Sequence, residues 1–388
     1  MKPLSFTRRS FSITLGAVVL GGCSVIPRSA EPVSRPVEPS VPRAEAPGES
    51  AIPVDTDRHR IALLVPTSGE NGAVGQAIAN ATTMALLDTG SNVLRITTYD
   101  TAGNAQEAAR RAVEDGNRLI LGPLLGKNVP GVQAAARTRD VPVVTFSNDT
   151  SYASPDVFVM GHVPEQGIAR SVDYAQRNGD NAFAVLVPEG EYGRRAEAAM
   201  RAAVPRRGGV VTASETYDRG NTSIASAARR LTARGLYDAI LIADGPRLAA
   251  QGASAVRAAG DRPQIIGTEL WSGEAAVLRA PALRGAIFSA VSDARYRQFV
   301  NSYEARFGVQ PYRIATLGYD AVLLTLRVAR DWRVGSDFPT RQLRADGGFL
   351  GLDGAFRFGS DNVAERAFEV RRIEDGRVVI VEPAPTGF

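Results

Sequence analysis

Sulfur and imidazole chemistry have almost nothing to work with in this chain, because 388 residues hold one cysteine and two histidines. A single thiol forms no intrachain disulfide and no thiolate cluster for a metal. Neither G-x-S-x-G nor H-E-x-x-H occurs, so no serine nucleophile elbow and no zinc hydrolase helix is encoded. His59 stands beside a proline-rich segment, and His162 stands where one half of the chain gives way to the next. Acidic pairs such as Glu189/Glu191 and Asp353/Asp361 are formally available for acid–base work, but no neighbouring motif points to a reaction. The run from Gly122 to Asn128 has three residues between its glycines and an asparagine at its end. A phosphate loop needs four, then Lys and Ser or Thr. No enzymatic activity, cofactor or metal is expected.

Excess charge is also scarce. There are 45 basic and 41 acidic residues, a formal net charge of +4. Lys2, Arg8 and Arg9 account for most of that excess, and without them 42 basic residues face 41 acidic ones. A balanced chain lacks the clustered, uncompensated cations that phosphate backbones require, so no nucleic-acid partner is expected.

Long apolar runs are lacking too. Residues 11–20 supply about half of the ~20 that a spanning helix needs. They follow the cationic head and precede Gly21 and Gly22. That order is the organisation of a secretory signal peptide, predicted over 1–22. Leu20-Gly21-Gly22-Cys23 resembles the bacterial lipobox. The resemblance implies cleavage before Cys23 and lipidation of that cysteine. Acyl chains contribute roughly 0.8 kcal/mol per buried methylene, so several hold a protein stably to a bilayer. Ser24 in place of an aspartate implies, by the same likeness to Gram-negative lipoproteins, a periplasmic protein anchored to the outer membrane. Arg8-Arg9-Ser10-Phe11 resembles a twin-arginine signal, which leaves both export routes open.

Residues 24–57 contain a proline every few positions and no aromatic residue. Such a composition buries too little apolar surface to fold. Residues 23–57 are therefore expected to be a lipid-anchored tether. Its ~34 residues, extended at ~3.1 Å each, reach on the order of 100 Å.

From Arg58 onward about 330 residues remain, enough for two cores. Short runs rich in β-branched residues alternate with helical periodicities. Strands are predicted at 60–66, 93–100, 118–123 and 141–146, with helices between them. The rhythm restarts with strands at 182–188, 208–217, 237–244, 264–268 and 285–291. Parallel strands covered on both faces, in two Rossmann-like lobes, are the fold class this implies. Helices at 294–307 and 314–330 follow. Antiparallel hairpins with turns at Leu352-Asp353-Gly354 and Glu374-Asp375-Gly376 close the chain.

The stretches IALLVPTSGENGAVGQAI, YDTAGNAQEA, LILGPLLGKNV, VPVVTFSNDT, SETYDRGNTSIASAARRL, IIGTELW and FLGLDGAFRFGSDNVAERAFEV occur in this order. In order and spacing the body resembles the type I periplasmic binding proteins of the branched-chain amino-acid-binding family. The resemblance implies a bilobed clamp with chain crossings near Gly161, Val291 and Arg344. The first lobe is then 58–161 with 292–344, and the second 162–291 with 345–388. It also implies a ligand cleft drawn from Ser68, Lys127, Asn148, Asp149, Tyr192, Asp244, Glu269 and Trp271. In the family small hydroxyl residues and helix N-termini receive the α-carboxylate. Here the third loop reads Pro123-Leu124-Leu125-Gly126-Lys127-Asn128 and the fourth carries Asp149. Glu269 stands at the position of the family's amine ligand and Tyr192 at an aromatic one. A small polar ligand other than a simple amino acid is the expectation for this cleft.

The lipobox, the tether, GPLLGKNV and IIGTELW together resemble the penicillin-binding-protein activators. That resemblance implies an outer-membrane lipoprotein that regulates peptidoglycan synthesis by contacting a penicillin-binding protein. The alternative is a lipid-anchored solute receptor of an ABC importer with an amino-acid-like ligand. A cryptic enzyme is a third, weaker reading.

Overall fold

The computed structural model describes residues 57–385 apart from 221, 222 and 261. The expected signal peptide, Cys23 and the tether up to residue 56 lie outside the described residues. Among those described, no helix is long and apolar enough to cross a membrane.

The first sheet is built from β1 (His59–Val65), β2 (Leu94–Asp100), β3 (Leu119–Leu121), β4 (Val143–Thr145) and β5 (Val157–Val159). Its order is β2-β1-β3-β4-β5, and every pairing is parallel. Helices α1 (Gly72–Thr89), α2 (Ala105–Glu114) and α3 (Val129–Ala136) connect these strands. Helix α2 shows why the sequence folds so locally. Ala105, Ala108, Ala109, Ala112 and Val113 make one buried stripe, the spacing of a single helix face. The Asn104 side chain accepts from the Glu107 amide at 3.1 Å and caps its start.

The second sheet holds β6 (Ala182–Pro188), β7 (Val210–Tyr217), β8 (Ala239–Ile242), β9 (Gln264–Ile266) and β10 (Ile287–Ala290). Helices α4 (Pro164–Arg177), α5 (Glu191–Ala203), α6 (Ser223–Ala233) and α7 (Pro246–Ala258) cover it. The strands β1 and β6 pass into the helices that follow them by the same device. A Cβ on Gly75 would overlap the Pro66 carbonyl, and one on Gly193 would overlap the Pro188 carbonyl. Only glycine lets each helix start so close beneath its strand.

Helices α8 (Tyr296–Phe307) and α9 (Thr316–Ala329) return to the first lobe. Leu317, Ala321 and Leu324 of α9 share one core with Ile61 and Leu63 of β1. The closing strands depart from expectation. They form two groups, not one hairpin set. Strands β11 (Phe349–Gly351), β12 (Gly354–Phe358) and β13 (Ala364–Arg366) make a separate three-stranded sheet. Phe349, Phe356 and Phe358 sit in the first lobe's core. Only β14 (Glu369–Glu374) and β15 (Arg377–Glu382) join the second sheet, β14 antiparallel to β10. The last crossing therefore lies at 366–369 and not near Arg344. The three phenylalanines decide this, since they enter the core that α9 shares with the first sheet, where Phe358 meets Phe158 of β5 at 5.3 Å.

Candidate functional site

Loops at the carboxyl ends of the strands face one another across the two lobes, where open parallel sheets bind ligands. They enclose a cavity of about 520 Å³. Leu124, Leu125, Phe146 and Ile314 give its first-lobe wall an apolar surface, and Glu269, Leu270 and Ser272 stand opposite. His162 lines it at the chain crossing. This volume lies within the range of small-molecule sites.

Glu269 is the polar centre of the second-lobe wall. Its Oε1 lies 3.1 Å from the Tyr192 hydroxyl, which is also 2.9 Å from Thr268 Oγ1. Its Oε2 is out of solvent contact and has no partner. Burial pushes the carboxyl up to about 7 and holds the Tyr192 phenol well above its ordinary value.

Asn148 also lines the cavity, but both of its oxygens are engaged. Arg195 of α5 donates to the Asn148 carbonyl at 2.6 Å and to its side-chain oxygen at 3.3 Å. The same guanidinium meets both Glu165 oxygens, at 2.6 and 2.8 Å. One second-lobe arginine thus bridges to a first-lobe loop.

The other expected cleft residues stand elsewhere. Asp149 accepts from the Ser151 amide and hydroxyl, at 3.0 and 2.7 Å, and so caps the short turn 150–152. Ser68 donates to Asp100 at 2.7 Å and stabilises the loop after β1. That bond, with the Ala102 and Thr67 amides, draws the Asp100 carboxyl down to about 2. Lys127 is exposed on the turn 126–128 and is absent from the cavity wall. Asp244 is buried behind the wall and accepts from Tyr217 at 2.7 Å and from Arg219 at 2.8 Å. Trp271 is 1% exposed and donates its indole N–H to the Asp244 carbonyl at 2.8 Å. It packs against Phe288, so it belongs to the second lobe's core and not to a ligand surface.

The family described as "Periplasmic binding protein" matches residues 59–377. The chain belongs to that family. Among solved structures, a Rhodospirillum rubrum protein described as a branched-chain amino acid ABC transporter superposes with a TM-score of 0.74 at 21% identity. The superposition covers 84% of this chain and 100% of that one. The isoleucine complex of LivJ from Streptococcus pneumoniae gives 0.62 at 18% identity, over 84% and 100% of the two chains. Full-length LpoA from Haemophilus influenzae gives 0.63 at 20% identity, over 84% of this chain and 59% of that one. At these identities the likeness is one of fold. A curated relative, Uncharacterized protein RP748 of Rickettsia prowazekii, is 27% identical over 176 residues. That match spans 44% of this chain and 47% of the relative, less than half the relative's length.

In this periplasmic binding protein the chain crossings are fastened by buried charge. Asp353, in the β11–β12 turn, accepts from His162 at 2.7 Å, Arg313 at 2.6 Å and Thr316 at 2.9 Å. Burial alone would push Asp353 up, but Arg313 and His162 outweigh it and hold the carboxyl well below the usual range. Burial keeps His162 below its ordinary value, so at neutral pH it is the uncharged ring that donates Nε2–H. Arg313 lines the cavity and lies 4.2 Å from the Tyr296 ring centroid. Arg371 donates to Glu369 at 2.7 Å and to the Val291 carbonyl at 2.6 Å, and it pairs with Asp293. Arg366 donates to the Met160 carbonyl at 2.8 Å. Among the described residues no group of three His, Cys, Asp or Glu side chains is placed to hold a metal ion.

Glu269→Gln is expected to stabilise the protein at pH 8 by about 1–3 kcal/mol and to change little near pH 4. A carboxyl with a raised folded-state value binds more protons folded than unfolded between ~4.3 and that value. Its burial therefore costs stability progressively as the pH rises through this window. Thermal melts of both proteins from pH 4 to 8 check this, and curves that stay parallel refute it.

Proposed function

We propose that this periplasmic binding protein regulates peptidoglycan synthesis by contacting a penicillin-binding protein, from an outer-membrane anchor at Cys23. The observation that carries this reading is that most of the side chains expected to hold a ligand are spent within the protein or stand outside the cleft. Asn148 is bound by Arg195, Asp149 caps its own turn, and Asp244 is tied to Tyr217 and Arg219. Leu124 and Leu125 line the cavity where the family uses small hydroxyl residues. A body that works by touching a partner needs a stable surface more than a responsive pocket. The anchor and tether rest on the sequence pattern of residues 1–57. The test adds the purified chain to a penicillin-binding synthase and follows glycan polymerisation. The expected result is a rate several-fold higher at saturating protein, and an unchanged rate rejects the reading.

A second reading, a solute receptor of an ABC importer, is favoured by one specific observation. Glu269 Oε2 is buried and unpartnered at the wall of a cavity large enough for a small ligand. Melting-temperature shifts with amino acids, sugars and aromatic carboxylates address it. A shift of many degrees with one compound, lost in Glu269→Gln, would establish it over the first.

A further inference from the structure

We infer that the first lobe carries a docking groove for an extended, acidic and apolar segment of another protein. The groove, about 770 Å³, lies between α9, the end of α1 and the strands β11 and β12. It is larger than the cleft cavity and shares no lining residue with it. Half-buried Leu323 and Leu326 give it an apolar floor, and the core residues Phe349 and Phe356 border it with only 8% and 1% of their surface exposed. Leu350 and Val93 also line it, with 58% and 41% of their surface exposed. Solvent gains nothing from such a surface, and apolar contact would release its water.

Two features besides the apolar floor select the occupant. The first is backbone. Strand β11 is hydrogen-bonded to β12 and has no strand on its other side among the described residues; the open edge is short, since the flanking Gly348 and Leu352 amides are held by the Ala345 carbonyl and by Asp320. Unpaired amides and carbonyls along a strand edge accept an added strand, and side chains alternating along that strand give it specificity.

The second is charge. Arg327 and Arg330 line the groove and are exposed. Neither has an ion-pair or hydrogen-bond partner among the described residues, whereas nearby Arg306 pairs with Asp88 at 3.2 Å. The one carboxylate lining the groove, Asp320, is fully buried. Its oxygens face the Leu352 amide at 2.6 Å and the Asp353 amide at 3.4 Å. The exposed lining is thus cationic without compensation.

An occupant that answers all three features has carboxylates for the arginines, apolar side chains for the floor and an extended backbone for β11. A nucleic acid would leave the apolar floor uncovered. A second copy of this chain, paired symmetrically through the groove, would bring the same arginines against each other, which disfavours it.

The test uses the full chain and a fluorescent peptide that alternates glutamate with valine and leucine, with a lysine-for-glutamate peptide as control. Anisotropy at low salt is expected to show saturable binding of the acidic peptide and none of the basic one. The double variant Arg327→Glu/Arg330→Glu should weaken binding about tenfold or more, with an unchanged melting temperature. About 0.5 M salt should weaken it as well. Leu350→Asp should also weaken it, through the floor and not through the arginines. Equal binding of both peptides, equal binding by the double variant, or no saturation by ~1 mM peptide overturns the inference. So does a dimer in sedimentation that the double variant dissociates, because the groove then belongs to a second copy. The inference does not depend on the regulator reading. A chain that leaves the polymerisation rate unchanged removes that reading, and the peptide measurement still decides the groove.

Discussion

Trp271→Ala is expected to cost the protein about 3–5 kcal/mol, as large aromatic truncations in packed cores do. The indole is 1% exposed, lies 5.7 Å from the Phe288 ring and donates at 2.8 Å to the Asp244 carbonyl. Gly267 is pressed so close that a Cβ there would overlap the indole ring. Truncation would leave a cavity and strip the Asp244 carbonyl of its donor together. Trp271→Phe should lose about half as much, because it keeps most of the volume and loses the hydrogen bond. Urea denaturation measures both. A loss below about 1 kcal/mol for the alanine variant, with altered ligand response, would return Trp271 to the cleft.

Arg371→Ala is the second large effect. Breaking a buried, hydrogen-bonded ion pair from one side costs about 3–5 kcal/mol, because the partner charge stays buried and unpaired. Here the loss would leave Glu369, itself 4% exposed, without its guanidinium, and the Val291 carbonyl without its donor. Both partners sit at chain crossings. The expected fall in melting temperature is about 4–7 °C for a chain of this size. Arg110→Ala, which removes pairs to Glu107 and Glu114 on the exposed face of α2, should leave the melting temperature where it is. Equal behaviour of the two variants would show that the buried cluster is not what fastens the crossings.

The sequence reveals the fold far more fully than it reveals the site. Strands such as Phe183 to Val187 are runs of apolar residues because helices cover both faces, so composition alone marks them. Strand β5 escapes because three residues, Val157 to Val159, make no period. The last crossing is hidden for a different reason. A hairpin turn at Leu352-Asp353 is legible, but which lobe its phenylalanines enter depends on α9, folded elsewhere. The site suffers most from this. Trp271 and Glu269 are two residues apart in one short turn, and one is core while the other lines the cavity. No period distinguishes them. His162 and Asp353 meet across 191 residues and Arg371 and Asp293 across 78. An arginine bound for the interior reads locally like one bound for water.

The bridge from Arg195 to Asn148 bears on how this protein can signal at all. A receptor that reports capture does so by a change of shape, which requires the vacant form to rest ajar. Bonds that fasten the two halves to each other weight that balance toward shut whether or not anything is held. A clamp so weighted reports capture less sharply than one that rests open.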